Sequence, residues 1–322
     1  MQSYVEPGSS DILNAHRRIQ NYINHTALIS NKNLNNEFGS EIFFKMENRQ
    51  KTNSFKARGA FNAILAYKEK YGRLPEKIVV QSSGNHAQAT ANACKNFGIP
   101  CLVYMISAAS PFKIATTRAL GAEVILKDQR SEVNQLALDK QKEGYFFIHP
   151  SSNDDVICGQ ATCALEAINE VGKFDAIFAP CGGGGLVSGT FLTAKLFSPE
   201  SKVFACEPLN ANDAAKSFRN GKIFSFEETP DTIADGARTL SVSDLCFNYL
   251  RQLPDILEIS ESDIIFWQKK LIENLQEKIE PTSALAIAGC ALFLKQNPKK
   301  NQKLLVIISG GNIPEQNRSG FK

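Results

Sequence analysis

Eight short apolar runs, separated by stretches of helical periodicity, leave this chain few possible architectures. They are Ile42-Phe-Phe-Lys45, Ile78-Val-Val80, Cys101-Leu-Val-Tyr-Met105, Val124-Ile-Leu126, Tyr145-Phe-Phe-Ile148, Ala176-Ile-Phe178, Val203-Phe-Ala205 and Leu304-Leu-Val-Ile-Ile308. Strands that alternate with helices form parallel sheets covered on both faces, so the predicted class is α/β. Ligands of such folds settle beyond the carboxyl ends of the strands. At 322 residues the chain can bury a large core and form two domains or one elaborated domain. The absence of a repeat or a long Gly/Ser linker makes any second domain an insertion.

Three strand ends and one lysine carry unusual chemistry. After Phe174-Asp-Ala-Ile-Phe-Ala-Pro180 come four consecutive glycines, Gly182, Gly183, Gly184 and Gly185, and then the helix-like stretch Leu186 to Lys195. A side-chain-free loop before a helix start gathers backbone N–H groups where the helix dipole favours negative charge. A tight turn needs one or two glycines, so four point to a bound phosphate. No Lys-Ser/Thr follows as in a P-loop and no G-x-G-x-x-G is formed, which disfavours a nucleotide. Gln81-Ser-Ser-Gly-Asn-His-Ala-Gln88 places hydroxyl and N–H donors at another helix start, a cluster suited to a carboxylate. Ser309-Gly-Gly-Asn312 again joins a strand to hydroxyl and glycines, although a plain turn accounts for it in isolation. Lys56 stands beside Phe55, and partial desolvation there would lower its pKa and suit it to Schiff-base chemistry; a helical lysine is otherwise a solvated surface charge. One helix start is marked by Ser260-Glu-Ser-Asp263, a capping box.

Composition narrows the partners. With 43% hydrophobic and 21% charged residues, a net charge of +3 and no basic stripe, the chain is expected to bind a small molecule and not nucleic acid. No run approaches bilayer-spanning length and Met1 to Ser30 contain no signal-like apolar core, so no membrane partner and a cytoplasmic location are expected. The eight cysteines form no C-x-x-C pair and read as reduced core residues, while His16, His25, His86 and His149 lack zinc-ligand spacing.

Ser54-Phe-Lys-Ala-Arg-Gly59, Ser82-Ser-Gly-Asn-His-Ala-Gln88, Gly182 to Gly185, Glu280-Pro-Thr-Ser283 and Ser309-Gly-Gly-Asn312 together resemble the pyridoxal-phosphate enzymes of the serine/threonine dehydratase and serine racemase family. The likeness runs from about residue 15 to Asn312, with the motifs in family order. It implies fold type II, the tryptophan-synthase-β type: two three-layer αβα domains, a large cofactor-binding domain (1–74 and 151–322) and a smaller mobile one (75–150) inserted in it. Lys56 would bind the cofactor aldehyde and act as base at Cα. Gly182, Gly183, Gly184, Gly185 and Leu186 would hold the phosphate, Asn85 the ring hydroxyl, Ser309 the pyridine nitrogen, and Phe55 would pack beside the ring. Ser82, Ser83, Gly84 and His86 would surround the substrate carboxylate.

The resemblance implies α,β-elimination from L-threonine or L-serine, giving 2-oxobutyrate or pyruvate and ammonia. A neutral serine at the ring nitrogen withdraws less charge from Cα and favours elimination over transamination. Ser83 matches the second acid/base of the racemases, so serine racemase is the alternative, yet Ala87 fits many threonine dehydratases better than the racemase glycine. Cys206-Glu-Pro-Leu-Asn-Ala-Asn-Asp213 resembles the family's cation loop, with Glu207, Asp213 and the Ala211 carbonyl suited to magnesium, manganese or calcium; an acidic loop is otherwise simply solvated. Asp235-Gly-Ala-Arg-Thr-Leu-Ser241 departs from the animal racemase pattern, and Arg238 is a candidate partner for a second substrate carboxylate, as in 3-hydroxyaspartate; a surface or interface arginine is the plainer alternative. A homodimer is expected from the same kinship. Little sequence follows Asn312, so the regulatory domain of biosynthetic threonine dehydratases is not expected.

Overall fold

The apolar runs assemble into two separate sheets in a computed structural model that describes residues 4–313. The larger contains β1 (Leu28–Ser30), β2 (Glu41–Met46), β7 (Ala176–Pro180), β8 (Lys202–Pro208), β9 (Ile256–Ile259) and β10 (Lys303–Ile308), in the order β1-β2-β10-β7-β8-β9. The smaller contains β3 (Ile78–Gln81), β4 (Cys101–Ile106), β5 (Glu123–Lys127) and β6 (Phe146–Phe147), in the order β5-β4-β3-β6 and parallel throughout. Every one of the eight apolar runs contributes a strand, although in Tyr145-Phe-Phe-Ile148 only Phe146–Phe147 pair. β1 and β9 are additions: β1 has only three residues, and it lies antiparallel on β2 with Leu28 opposite Lys45.

Strand periodicity explains the layers. In β10, Leu304, Val306 and Ile308 enter one apolar cluster with Phe178, Phe204 and the helix Pro281–Gln296, while Leu305 and Ile307 enter another with the helices Asp154–Val171 and Gly185–Phe197. Both faces of the large sheet are therefore covered. In the small sheet, Ile78, Val80, Val103 and Met105 pack against the helices Lys56–Tyr71 and Asn85–Phe97, and Val79, Leu102 and Tyr104 against the helix Arg130–Lys142. The helix that begins at Lys56 thus shares the apolar cluster of the small sheet, and it packs between the helices Asn85–Phe97 and Asp154–Val171. Its entry is fixed to the large sheet: Ser54 bridges Gly310 and the Phe55 N–H donates to the Ser309 carbonyl at 3.1 Å.

Ser260 does cap the helix Glu261–Leu275, accepting from the Asp263 N–H at 3.1 Å. The reciprocal half of the box differs, because the Asp263 carboxylate takes the Ser260 hydroxyl at 2.6 Å and not the backbone N–H. Aspartate is one methylene shorter than the glutamate that normally makes this return bond. All eight cysteines are buried and unpaired, and no helix among the described residues is long and apolar enough to cross a membrane.

Candidate active site

The polar segments that follow strands of the two sheets meet through Asn85, Glu280, Asn312, Lys56 and Pro150. Lys56 is the first residue of its helix, and its Nζ donates to the Pro150 carbonyl at 3.0 Å and lies 5.0 Å from the Phe55 ring centroid. Burial lowers its pKa to about 8, so about a tenth of the amine is neutral at pH 7, far more than for a solvated lysine.

The glycine loop leaves the buried strand β7 and enters the helix Gly185–Phe197. Gly184 has φ +86°, a conformation that favours glycine, and a Cβ at Gly182 would lie 2.7 Å from the Gly236 carbonyl oxygen. The first-turn N–H groups of this helix have no intrahelical partner and remain available to an anion. The segment from His149 to Ser152 runs between this loop and Lys56: the Ser151 hydroxyl lies 2.9 Å from where a Gly183 Cβ would stand, and the Pro150 carbonyl 3.4 Å from that of Gly185.

Beyond β3, the Ser82 hydroxyl accepts from the Gly84 N–H at 3.3 Å, and Ser83 Oγ accepts from the Ile106 N–H at 3.2 Å and keeps its own proton to donate. Asn85 Nδ2 donates to both oxygens of the buried Glu280 carboxyl, at 2.9 and 3.0 Å, and Asn85 Oδ1 accepts from Asn312 Nδ2 at 2.9 Å. Burial raises the Glu280 pKa. His86 turns its imidazole inward, with Nε2 2.9 Å from the Ile148 carbonyl; burial and then the Lys56 charge lower its pKa to about 3. Its backbone N–H, in the first turn of the helix Asn85–Phe97, is what it can offer a carboxylate. Ser309 is buried, with its hydroxyl 3.1 Å from that of Ser283.

A reactive lysine, a side-chain-free anion loop and a neutral buried hydroxyl form a donor set suited to an aldehyde-bearing phosphate ester with an aromatic nitrogen. A family model described as pyridoxal-phosphate dependent enzyme matches residues 19–310. The chain belongs to that family. It is 38% identical over 315 residues to the L-threo-3-hydroxyaspartate ammonia-lyase of Saccharomyces cerevisiae, spanning 96% of this chain and 94% of that one. It is 37% identical over 320 residues to the serine racemase of Schizosaccharomyces pombe, spanning 98% of each. Among solved structures, a threonine deaminase from T.th. superposes with a TM-score of 0.88 at 37% identity, covering 96% of this chain and 99% of that one. The fold is thus type II, the cofactor is pyridoxal phosphate, and the protein is an enzyme of the ammonia-lyase and racemase group.

Two features of this pyridoxal-phosphate enzyme were hidden in its sequence. Arg58, two residues beyond Lys56, is fully buried; its guanidinium pairs with Glu47 at 2.8 Å and Glu166 at 2.7 Å, and Lys45 pairs with Glu166 at 2.6 Å. Two cations and two anions from three separate segments balance, locking the start of the lysine helix to the large sheet. Lys113, also buried, pairs with Asp235 at 2.5 Å, linking the helix Pro111–Ala119 of the small-sheet side to the turn that covers Gly182. Arg58 stands in the Ser54–Gly59 motif without a role that the sequence assigns, and Lys113 resembles a surface charge until its partner is known.

The candidate cation residues lie apart, Glu207 near the end of β8 and Ala211 and Asp213 just beyond it. Both Glu207 oxygens accept backbone N–H groups, from Ala214 and Ala215 at 2.9 Å each, and Asp213 Oδ1 accepts from the Thr239 hydroxyl at 3.2 Å. Asp213 Oδ2 is buried without a hydrogen-bond partner among the described residues, and Ala211 is buried beside this turn. Arg238 is exposed, with Nε donating to the Thr232 carbonyl at 2.7 Å.

Proposed function

We propose that this enzyme is an ammonia-lyase acting on L-threonine and L-serine, releasing 2-oxobutyrate or pyruvate and ammonia. The observation that carries the proposal is the combination of a Lys56 amine held by the Pro150 carbonyl with a neutral buried hydroxyl, Ser309, on the segment that fixes the entry to its helix. When bound, pyridoxal phosphate supplies the electron sink that makes the Cα proton removable. Lys56 Nζ takes that proton and holds it. The Gly182–Leu186 turn holds the phosphate, Phe55 packs beside the ring, and Asn85, braced by Glu280 and Asn312, meets its hydroxyl. Ser309 offers the ring nitrogen a hydroxyl in place of a carboxylate, which favours loss of the β-hydroxyl. Ser82, Ser83, Gly84 and the His86 N–H receive the substrate carboxylate. The four-stranded unit, residues 75–150, would close on the remainder, 1–74 and 151–322, when substrate binds. Assaying 2-oxo acid and ammonia from each amino acid tests the proposal; a protein that carries the cofactor and releases neither refutes it.

Two observations favour another reaction or another substrate at the same site. The Ile106 N–H directed at Ser83 Oγ would stabilise an alkoxide, as a serine racemase needs, and accumulation of D-serine is its test. Arg238 makes no side-chain hydrogen bond beyond that of Nε among the described residues, leaving its guanidinium able to receive the second carboxylate of 3-hydroxyaspartate. Unchanged selectivity among serine, threonine and 3-hydroxyaspartate in Arg238→Ala would remove that reading.

The orphaned Asp213 Oδ2 beside Glu207 fits a hard cation, so the proposal includes magnesium, manganese or calcium held by Glu207, Asp213 and the Ala211 carbonyl. It also includes a cytoplasmic homodimer. The eight unpaired cysteines support a reducing location, and sedimentation at assay concentration tests the dimer.

A further inference from the structure

His149 sits inside the site without a role so far. Its Nδ1 accepts two backbone N–H groups, from Ser152 at 2.7 Å and Ser151 at 3.2 Å. Those bonds occupy the only lone pair of a neutral ring and fix the proton on Nε2. Burial, and then the nearby Lys56 charge, lower its pKa to about 4, so the ring stays neutral through the physiological range. It can therefore donate a hydrogen bond and cannot act as a base. Nε2 makes no hydrogen bond among the described residues, while the ring is held edge-on to Phe147 at 5.7 Å.

Position narrows the ligand. On one side the Ile148 carbonyl meets His86 of the carboxylate loop; on the other the Pro150 carbonyl meets Lys56, and Ser151 lies against the glycine loop. The two anionic groups of a bound amino acid and its cofactor are thus served by the flanking helix starts, and the amino group lies at Lys56. What remains between them is the substituent on Cβ. We propose that the His149 Nε2–H donates a hydrogen bond to the β-oxygen of the bound amino acid, selecting substrates that carry one there. This rests on the ammonia-lyase reading and adds a specificity residue to it.

Asparagine and glutamine separate the two ring nitrogens: Asn reproduces the Nδ1 acceptor and Gln approximates the Nε2 donor. In holoenzyme with unchanged visible absorbance, His149→Asn is expected to raise KM for L-serine about tenfold, the loss of one hydrogen bond, and to leave the inhibition constant of L-alanine, which lacks a β-oxygen, unchanged. His149→Gln is expected to retain most serine affinity. Equal weakening of serine and alanine in both variants, or serine binding by His149→Asn equal to wild type, would overturn the proposal. If neither variant folds, nitrogen-15 NMR of the wild-type imidazole decides: the Nε2–H tautomer supports the proposal and an Nδ1–H tautomer contradicts it. Wild-type enzyme that carries cofactor yet deaminates no β-hydroxy amino acid would instead defeat the underlying reading, independently of His149.

Discussion

Lys56 Nζ donates to the main-chain carbonyl of Pro150 at 3.0 Å, joining the first residue of the helix Lys56–Tyr71 to the segment that borders the glycine loop. The amine proposed to bind the cofactor aldehyde is thereby held by a neutral acceptor and not by a carboxylate. A carboxylate would stabilise the ammonium, whereas a carbonyl in a dehydrated site leaves its pKa near 8.

That depression has a sign in stability. The native protein holds the Lys56 proton less tightly than the unfolded chain, whose lysine titrates near 10.5. In the cofactor-free protein the penalty is fully present below pH 8 and vanishes by about pH 10.5, so this residue makes stability rise with pH across that window. Lys56→Met should therefore stabilise the cofactor-free protein at pH 7, by about 3 kcal/mol at most, and lose that advantage towards pH 10.5. Urea midpoints of both proteins at several pH values measure it.

Arg58→Met should cost about 3–5 kcal/mol, because Glu47 and Glu166 would be left buried with Lys45 as their remaining cation. Arg58→Lys should recover only part, since an ammonium cannot serve both carboxylates with paired bonds. Burial opposes the charge on Glu166, but Arg58 and Lys45 overcome it and hold the pKa at about 2. Its contribution is thus present above the ordinary carboxylate range and lost as pH falls from about 4.5 towards 2. Thermal melts of the variants against pH provide the check.

Breaking the Lys113–Asp235 pair should loosen the link across the site without removing the cofactor. Lys113→Met is expected to keep the visible absorbance and to raise KM more than it lowers kcat. A double-mutant cycle with Asp235→Asn should give a coupling of about 1–3 kcal/mol in unfolding free energy. Additive variants would show that the pair joins nothing.

Cation binding at Glu207 and Asp213 should appear as stabilisation. Chelation is expected to lower Tm, and magnesium, manganese or calcium to restore it in proportion to the logarithm of concentration. Asp213→Asn should abolish that response. A Tm indifferent to chelator and cations would leave Glu207 as the cap of the following helix alone.

The strands and the glycine loop were legible because they are local: apolar runs of strand length, and four glycines before a helix. Lys56, Asn85 and Ser309 could be singled out only through the ordered motifs around them, since a lysine, an asparagine and a serine are each commonplace. Long-range pairing hid the rest. Arg58 meets a carboxylate 108 residues away, and Asn85 is braced by a carboxyl 195 residues away. β1 and β9 were missed for another reason. A three-residue edge strand and the mixed run Ile256-Leu-Glu-Ile259 are too short or too polar to show a period.

The central claim is that Lys56 holds pyridoxal phosphate and works at Cα. Borohydride reduction of the purified holoenzyme, followed by peptide mass mapping, tests it most directly. The account predicts a phosphopyridoxyl adduct on Lys56, with visible absorbance and 2-oxo acid formation both absent from Lys56→Ala; an adduct on another lysine, or a Lys56→Ala enzyme that still deaminates its substrate, would contradict it.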